Sequence, residues 1–315
     1  MTLFLREDEV ARVLRMEDVI AAVEEAFRQH GRGRAVNRPR QRAITDSGVL
    51  HIMSAAMPAR GVMGVKAYGS TRGGTRFLSL LYDAQTGEVL ALMEADRLGQ
   101  MRTGAASAVA TKYLARMESG AVGIIGTGRQ ARTQLLALSK VRPIALVKCY
   151  GRDYQRRVAF AEEMIRELGA EVAAVDSASE AVENVDIIIT ATTAQEPVLH
   201  GEWLHPGVHI NAIGSNWADR RELDEDAVRR CQRIVVDDLE QAQIEAGDLI
   251  ALIESKVLTW DRVVELGKVV SGEVPGRTSP EEITLFESQG IALEDVAAMQ
   301  LAYERARELG VGKTL

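Results

Sequence analysis

The sequence predicts an α/β chain in two parts: a Rossmann-type doubly wound parallel sheet and a separate antiparallel sheet. Three observations carry this reading. The stretch Ala121–Ala131, AVGIIGTGRQA, sets a hydrophobic run directly ahead of a G-x-G-x-x-A turn. Downstream of it, strand and helix patterns alternate, as they do in a parallel sheet covered by helices. Upstream, short turn-bounded segments follow one another with no helix between them.

The glycine stretch organises the rest. Val122–Ile125 reads as a buried parallel strand, and a helical stretch, Arg132–Lys140, follows. Gly126 permits the tight turn, Gly128 lets a pyrophosphate approach the backbone, and Ala131 lets helix and strand pack closely. The unpaired N–H groups and positive dipole end of the new helix then face the phosphates. Thr127, Arg129 and Gln130 lie inside the same loop and belong to this expected dinucleotide site.

Composition narrows the class. A chain of 315 residues has room for two domains, and 46% hydrophobic with 26% charged residues is ordinary for a soluble globular protein. A net charge of −7 argues against nucleic acid as the main partner. Cys149 and Cys231 lie far apart with no CxxC or Cys/His cluster, so neither a disulfide framework nor a metal site is expected. Cys149 reads as a small buried apolar residue within a strand. No apolar run is long enough to span a membrane and no signal-peptide pattern follows Met1, so a cytoplasmic protein without a membrane partner is expected.

In chain order, Glu7–Leu14 and Glu17–His30 carry apolar residues at helical spacing, and Gly31 and Gly33 end the second helix. Arg40–Thr45, Val49–Ala55, Gly61–Ser70, Arg76–Tyr82 and Val89–Ala95 then read as strands of an antiparallel sheet, with Asp83–Gly87 a hairpin loop. A long helix, Asp96–Met117, follows, and its Gly104–Ala110 segment is small enough to let another backbone or a ligand come close. Ser119–Gly120 marks the boundary. It assigns residues 1–118 with 293–315 to one domain and 119–292 to the dinucleotide-binding domain.

Beyond the boundary come Ile144–Tyr150, Gln155–Leu168, Glu171–Val175, Ser179–Glu183, Ile187–Ala191, Val208–Ala212, Asp224–Arg229 and Ile234–Val236. Gly267–Pro280 reads as irregular surface chain, Ile283–Phe286 as a last strand and Leu293–Leu309 as a final helix returning to the first domain. In NAD-specific proteins an acidic residue ends the second strand, about 20 residues past the motif. Here that strand ends VKCYGRD, which puts Gly151 and Arg152 in the place of the carboxylate. Arg152 can pair with a 2′-phosphate or stack on adenine, and Asp153 lies next to it. The balance favours NADP(H), with NAD(H) the alternative.

Several stretches coincide with one family. GVKAYGS around Lys66, LYDAQTGEVLALMEADRLGQMRTGAASA around Arg102, VGIIGTGRQA, NAIGSNWADRRELD and ITLFESQGIALED occur in this order along almost the whole chain. Through them the chain resembles the ornithine cyclodeaminase and mu-crystallin family, which includes alanine dehydrogenases and ketimine reductases. The resemblance implies a homodimer built through the antiparallel sheet and a substrate site between that sheet and the nicotinamide. It also implies a substrate carboxylate held by Arg40, Lys66 and Arg102, with Ser288 and Gly290 alongside. Thr103, Ala191, Thr192, Ile213, Gly214 and Ser215 join the expected cofactor contacts on the same ground. The chemistry is apt: a guanidinium grips a carboxylate through two parallel hydrogen bonds, and an ammonium adds a compact charge. Lys66 sits between Val65 and Ala67 in an apolar strand, which argues against a solvated surface lysine. Period-two alternation puts Arg40 and Arg42 on one face and leaves open which of them serves.

Two departures from the cyclodeaminase pattern separate the candidate activities. The cyclodeaminase carries an acidic proton handler where this chain has Asn216, and an amide is no general base near neutral pH. Reducing an iminium asks less of the protein, because the nicotinamide supplies the hydride. The cyclodeaminase also carries a Glu where this chain has His51. With Arg40 and Arg42 on the same sheet, and no acid in that segment before Asp46, a second carboxylate on the substrate is expected. The resulting expectation is an NAD(P)H-dependent reductase of a small 2-imino acid, with iminosuccinate giving aspartate favoured. The alternatives are ornithine cyclodeaminase, alanine dehydrogenase, a cyclic ketimine reductase, and a non-catalytic NAD(P)H- or small-ligand-binding protein.

Overall fold

Two sheets divide the strands of the computed structural model, which describes residues 1–315. The first part holds β1 (Leu3–Leu5), α1 (Glu7–Val13), α2 (Met16–Gly31), β2 (Val36–Ile44), β3 (Gly48–Met57), β4 (Val62–Thr71), β5 (Gly74–Asp83), β6 (Val89–Glu94) and α3 (Asp96–Leu114). Strands β2 to β6 form an antiparallel meander, as the alternating segments predicted. The sheet is not wholly antiparallel, however. The short β1 adds to β6 in parallel, and β15 (Lys313–Thr314) pairs with β1 at the edge. Strands of three and two residues are too short to show alternation, which is why the sequence hides them.

The second part begins with β7 (Ala121–Ile125), α4 (Arg129–Leu138), β8 (Leu146–Tyr150), α5 (Tyr154–Leu168), β9 (Glu171–Ala174), α6 (Ala178–Val182) and β10 (Ile187–Thr190). It continues through β11 (His209–Ala212), α7 (Glu225–Arg229), β12 (Arg233–Val236), α8 (Leu239–Glu245), α9 (Gly247–Glu254), β13 (Val263–Glu265), α10 (Leu266–Ser271), β14 (Thr284–Glu287) and α11 (Ala292–Leu309). All strand pairs are parallel, in the order β13-β12-β14-β11-β10-β7-β8-β9. The chain leaves β7 outward to β8 and β9, then returns to β10 on the other side. That reversal places a ligand crevice at the C-terminal ends of β7 and β10.

Several boundaries differ from expectation. Strand β2 starts at Val36 despite Pro39, because the register shifts between Arg38 and Gln41 and leaves the proline outside the ladder. Helix α3 stops at Leu114, where Arg142 donates to the carbonyls of Thr111, Lys112, Ala115 and Arg116 and closes the end. Helix α4 starts at Arg129, directly after Gly128, and β8 starts at Leu146. The expected surface chain Gly267–Pro280 instead opens in α10, whose backbone meets that of α2. A Cβ on Gly31 would lie 2.0 Å from the Gly267 carbonyl oxygen, so the two backbones touch where only glycine fits. Helices α8 and α9 also went unread in the sequence.

The final helix lies across β3 and β4 and against α2, burying Val296, Ala298, Met299 and Ala302. It carries the acids Glu294 and Asp295 in its first turn, and both are buried. No helix is long and apolar enough to cross a membrane.

Candidate active site

Between the inner face of the first sheet and the C-terminal edge of the second lies a cavity of about 440 Å³. Pleating sets its sheet-side wall. Lys66 and Tyr68 stand two apart on β4 and so share a face. His51 on β3 and Phe77 on β5 flank Tyr68 in register. The His51 and Tyr68 rings stack at 4.2 Å, and Tyr68 and Phe77 at 5.1 Å.

Lys66 and Arg102 meet at the first turn of α11. Lys66 Nζ donates to Asp295 Oδ1 at 2.9 Å, Arg102 Nε to the same oxygen at 3.0 Å, and Arg102 Nη1 to Glu294 Oε2 at 2.6 Å. Burial, and then the neighbouring Arg102, pull the Lys66 ammonium down to about 8. Burial pushes the Glu294 carboxyl up to about 8.

Ser288 and Gly290 stand beside this set on the cavity wall, both tied to Asp237 Oδ2, by the Ser288 hydroxyl at 3.0 Å and the Gly290 N–H at 2.7 Å. Asn216 also lines the cavity, together with Trp217 and Arg220.

The arginines of β2 are engaged in a way the sequence conceals. Arg40 forms an ion pair with Glu245 of α8 and donates to the carbonyls of Gln289 and Gly290 at 3.0 and 2.9 Å. Arg42 pairs with the other oxygen of Glu245 at 2.6 Å and donates to the Asn216 carbonyl at 2.7 Å. Its guanidinium stacks on Trp217 at 4.4 Å, behind the cavity wall rather than on it.

The expectation that no acid faces these arginines is therefore corrected: Glu245, 205 residues away in sequence, stands between them. His51 also lines the cavity. Burial, followed by Arg42 and Arg40, pulls it down to about 4, so it is neutral and adds no charge. Among the cations on the cavity wall, Arg220 has no carboxylate partner.

At the sheet edge the dinucleotide features assemble. Gly126 takes φ +109°, and a Cβ there would lie 2.3 Å from the Ala191 carbonyl oxygen. Gly128 has open space beside it and forms the N-cap of α4 without a side-chain cap, which leaves the first N–H groups of the helix for an anion. Gly151 leaves room for Thr127, whose Oγ1 would lie 2.7 Å from an added Cβ. These residues fit a pyrophosphate. Ala131 is buried under the turn. Arg129, expected in the cofactor set, pairs with Asp96 at 2.6 Å on the surface.

Arg152 is exposed and has no carboxylate partner, whereas Asp153 is engaged as the N-cap of α5, accepting from the Arg156 N–H at 3.0 Å. Thr103, Gln130, Ile213, Gly214 and Ser215 reach the same cavity as Lys66 and Arg102. Thr192 is fixed from behind by Glu222. The acids Glu222, Asp237, Glu245, Glu294 and Asp295 were missed as site residues. For the last two a signal existed, an acidic pair inside the otherwise apolar start of a helix.

Residues 1–310 match the model of the ornithine cyclodeaminase/mu-crystallin family. Among solved structures, the chain superimposes with TM-score 0.96 on Thermococcus litoralis Delta(1)-pyrroline-2-carboxylate reductase in complex with NADH and L-proline, at 40% identity and 100% coverage of both chains. An archaeal alanine dehydrogenase dimer with bound NAD gives TM-score 0.94 and 36% identity, covering 100% of this chain and 98% of that one. The iminosuccinate reductase of Paracoccus denitrificans with NAD+ gives 0.93 and 29%, covering 99% and 98%.

Proposed function

The chain belongs to the ornithine cyclodeaminase/mu-crystallin family, and from that premise we propose that it is an NAD(P)H-dependent reductase of small 2-imino acids, yielding the L-amino acid. One observation carries the reading. Lys66 and Arg102, both buried, converge on the wall of a cavity that also reaches Gln130, Ile213 and Gly214 at the dinucleotide edge.

Lys66 and Arg102 together clamp the α-carboxylate of the substrate, and burial makes each charged hydrogen bond count. When bound, the nicotinamide supplies a hydride to the imine carbon. The protein's part is to fix the imine against it and exclude water. Asn216 offers an amide where ring-closing deamination needs a titrating acid, which favours reduction.

The substituent facing the clamp is apolar in this reading. Phe77 and Tyr68 lie 5.5 and 5.8 Å from Lys66 Nζ, His51 is neutral, and both β2 arginines are held by Glu245. A compact monocarboxylic imine, with pyrroline-2-carboxylate the first to try, suits this wall. The second reading is a dicarboxylic imine such as iminosuccinate. It is favoured by Arg220, a cation on the cavity wall without an acid partner, and by the likeness to an iminosuccinate reductase.

For the cofactor, we read the exposed Arg152 as the partner of a 2′-phosphate, hence NADP(H), while the similar structures named above hold NADH, NAD or NAD+. A homodimer through the outer face of the first sheet is also part of the proposal. Leu50, Ile52 and Leu78 are exposed there, on the side away from the cavity.

The test is NADH and NADPH oxidation with pyrroline-2-carboxylate, with pyruvate plus ammonia and with oxaloacetate plus ammonia. Turnover of at least one imine supports the reading, and preference for the cyclic imine supports its finer form. No turnover with any of them by a protein that binds the cofactor overturns it.

A further inference from the structure

Glu222 belongs to neither the glycine turn nor the carboxylate clamp, yet its carboxylate holds both loops between them. It is 1% exposed. Oε2 accepts from Thr190 Oγ1 at 2.7 Å and from the Gly214 N–H at 2.8 Å. Oε1 accepts from the Thr192 N–H at 2.7 Å and from Thr192 Oγ1 at 2.6 Å. Four donors from the ends of two neighbouring strands thus fill the lone-pair sites of one carboxylate.

The fit is close. A Cβ on Gly214 would lie 2.3 Å from Glu222 Oε1, so the loop after β11 is closed down onto the acid. The acid is itself anchored from behind, since Asp248 Oδ1 accepts from the N–H groups of Glu222 and Leu223 at 2.8 Å each. Ala191 and Ile213 still donate to the carbonyls of Ile125 and Thr190 at 2.9 and 3.0 Å, but beyond them residues 192–194 and 214–217 form no helix or strand. The first of these loops also supplies the Ala191 carbonyl that closes over Gly126, and the second puts Ile213 and Gly214 into the cavity.

We propose that Glu222 is a positioning residue for the nicotinamide half of the cofactor: acting through Thr192 and Gly214, it sets the loops after β10 and β11 at the height the reduced ring needs. This rests on the dinucleotide reading above. The adenosine half is served by other residues, at Gly126–Ala131 and Gly151–Arg152, none of which bonds to Glu222.

The test compares binding of NADH with binding of ADP, which lacks the nicotinamide, in Glu222→Gln and Thr192→Val. The glutamine puts an NH2 group against N–H or O–H donors, while the valine removes one donor and keeps the acid intact. The expected result is that NADH dissociation constants rise about tenfold in Glu222→Gln and about threefold in Thr192→Val, with ADP affinity held within about twofold. A merely structural role would lower the melting temperature and weaken both ligands alike, or neither.

Should Glu222→Gln fail to fold, Thr190→Val, which removes a donor to the same carboxylate at a residue outside the expected cofactor contacts, decides beside Thr192→Val by the same comparison. Unchanged NADH affinity in the folded variants, or equal losses for NADH and ADP, overturns the proposal. A wild-type protein that binds neither NADH nor NADPH overturns the dinucleotide reading, and the proposal with it.

Discussion

Lys66 on β4 donates to Asp295 on α11 at 2.9 Å across 229 positions of sequence, and the two side chains are 3% and 0% exposed. A buried ion pair of this kind is costly to break from one side, because the surviving charge has no water to turn to. Asp295→Ala leaves Lys66 and Arg102 facing each other and should destabilise the fold by about 3–5 kcal/mol, read from urea denaturation. Stability within about 0.5 kcal/mol of wild type would show that solvent reaches the pair.

Removing the other partner tests chemistry more than stability. Lys66→Met and Arg102→Met should each lower kcat/KM for the imine by at least about 30-fold, since a desolvated charged hydrogen bond to a carboxylate is worth on the order of 2–5 kcal/mol. Near-normal kinetics in both variants would place the carboxylate elsewhere.

The depressed Lys66 ammonium gives the activity a pH signature. With its pKa at about 8 in the free protein, Lys66 is charged at pH 7 and loses its proton as pH rises through 8. Carboxylate binding needs the charged form, so kcat/KM should fall above pH 8. The sign for stability is opposite. The folded-state value lies below that of the unfolded chain, so the unfolded chain binds more protons between about 8 and 10.4, and this group favours folding increasingly as pH rises through that window. In Lys66→Arg the share of the descending limb that belongs to Lys66 should disappear, and a limb that stays unchanged at 8 assigns it to Glu294, whose buried carboxyl also stands at about 8.

Glu245 offers a direct test of substrate class. It holds Arg40 and Arg42 together, and Glu245→Gln would loosen both. The ratio of kcat/KM for a dicarboxylic imine over pyrroline-2-carboxylate should rise about tenfold as those guanidinium donors are released, with some loss of stability from the unpaired charge. An unchanged ratio would mean that the arginines never face the substrate's distal end.

Cofactor preference turns on one exposed side chain. Arg152→Ala should weaken NADPH about tenfold and leave NADH within about twofold, since only the former carries the phosphate that a guanidinium pairs with. Equal effects would make Arg152 an adenine stacker. Gly128→Trp, filling the open space beside the turn, should abolish binding of both.

Much of this architecture was legible because it is local. The turn at Gly126–Ala131 announces its own strand and helix, and Lys66 between apolar neighbours announces its own burial. What escaped was the set of acids that answer the cations. Glu245, Glu294 and Asp295 lie far along the chain from Arg40, Arg102 and Lys66, and no period or spacing ties an ion pair across 192 to 229 positions. His51 shows the same limit. Its residue type suggests a proton carrier, and only the packing of Tyr68, Arg40 and Arg42 around it makes it neutral. Helix α10 was lost for a different reason: its glycine permits close contact with Gly31 but reads on paper as a breaker.

The placement of α11 bears on how the protein is made. Emerging from the ribosome, the chain offers the meander and the clamp's two cations long before it offers their counter-ions, and the whole dinucleotide-binding sheet is synthesised in between. Until α11 arrives, Lys66 on β4 and Arg102 on α3 lack their carboxylate partners and the face of β3 and β4 that α11 covers is bare, so that half is expected to remain open and to need shelter from aggregation. The middle of the chain, with its run of local βα units, has the means to fold first, and the active site is then sealed by a segment translated only after that whole sheet.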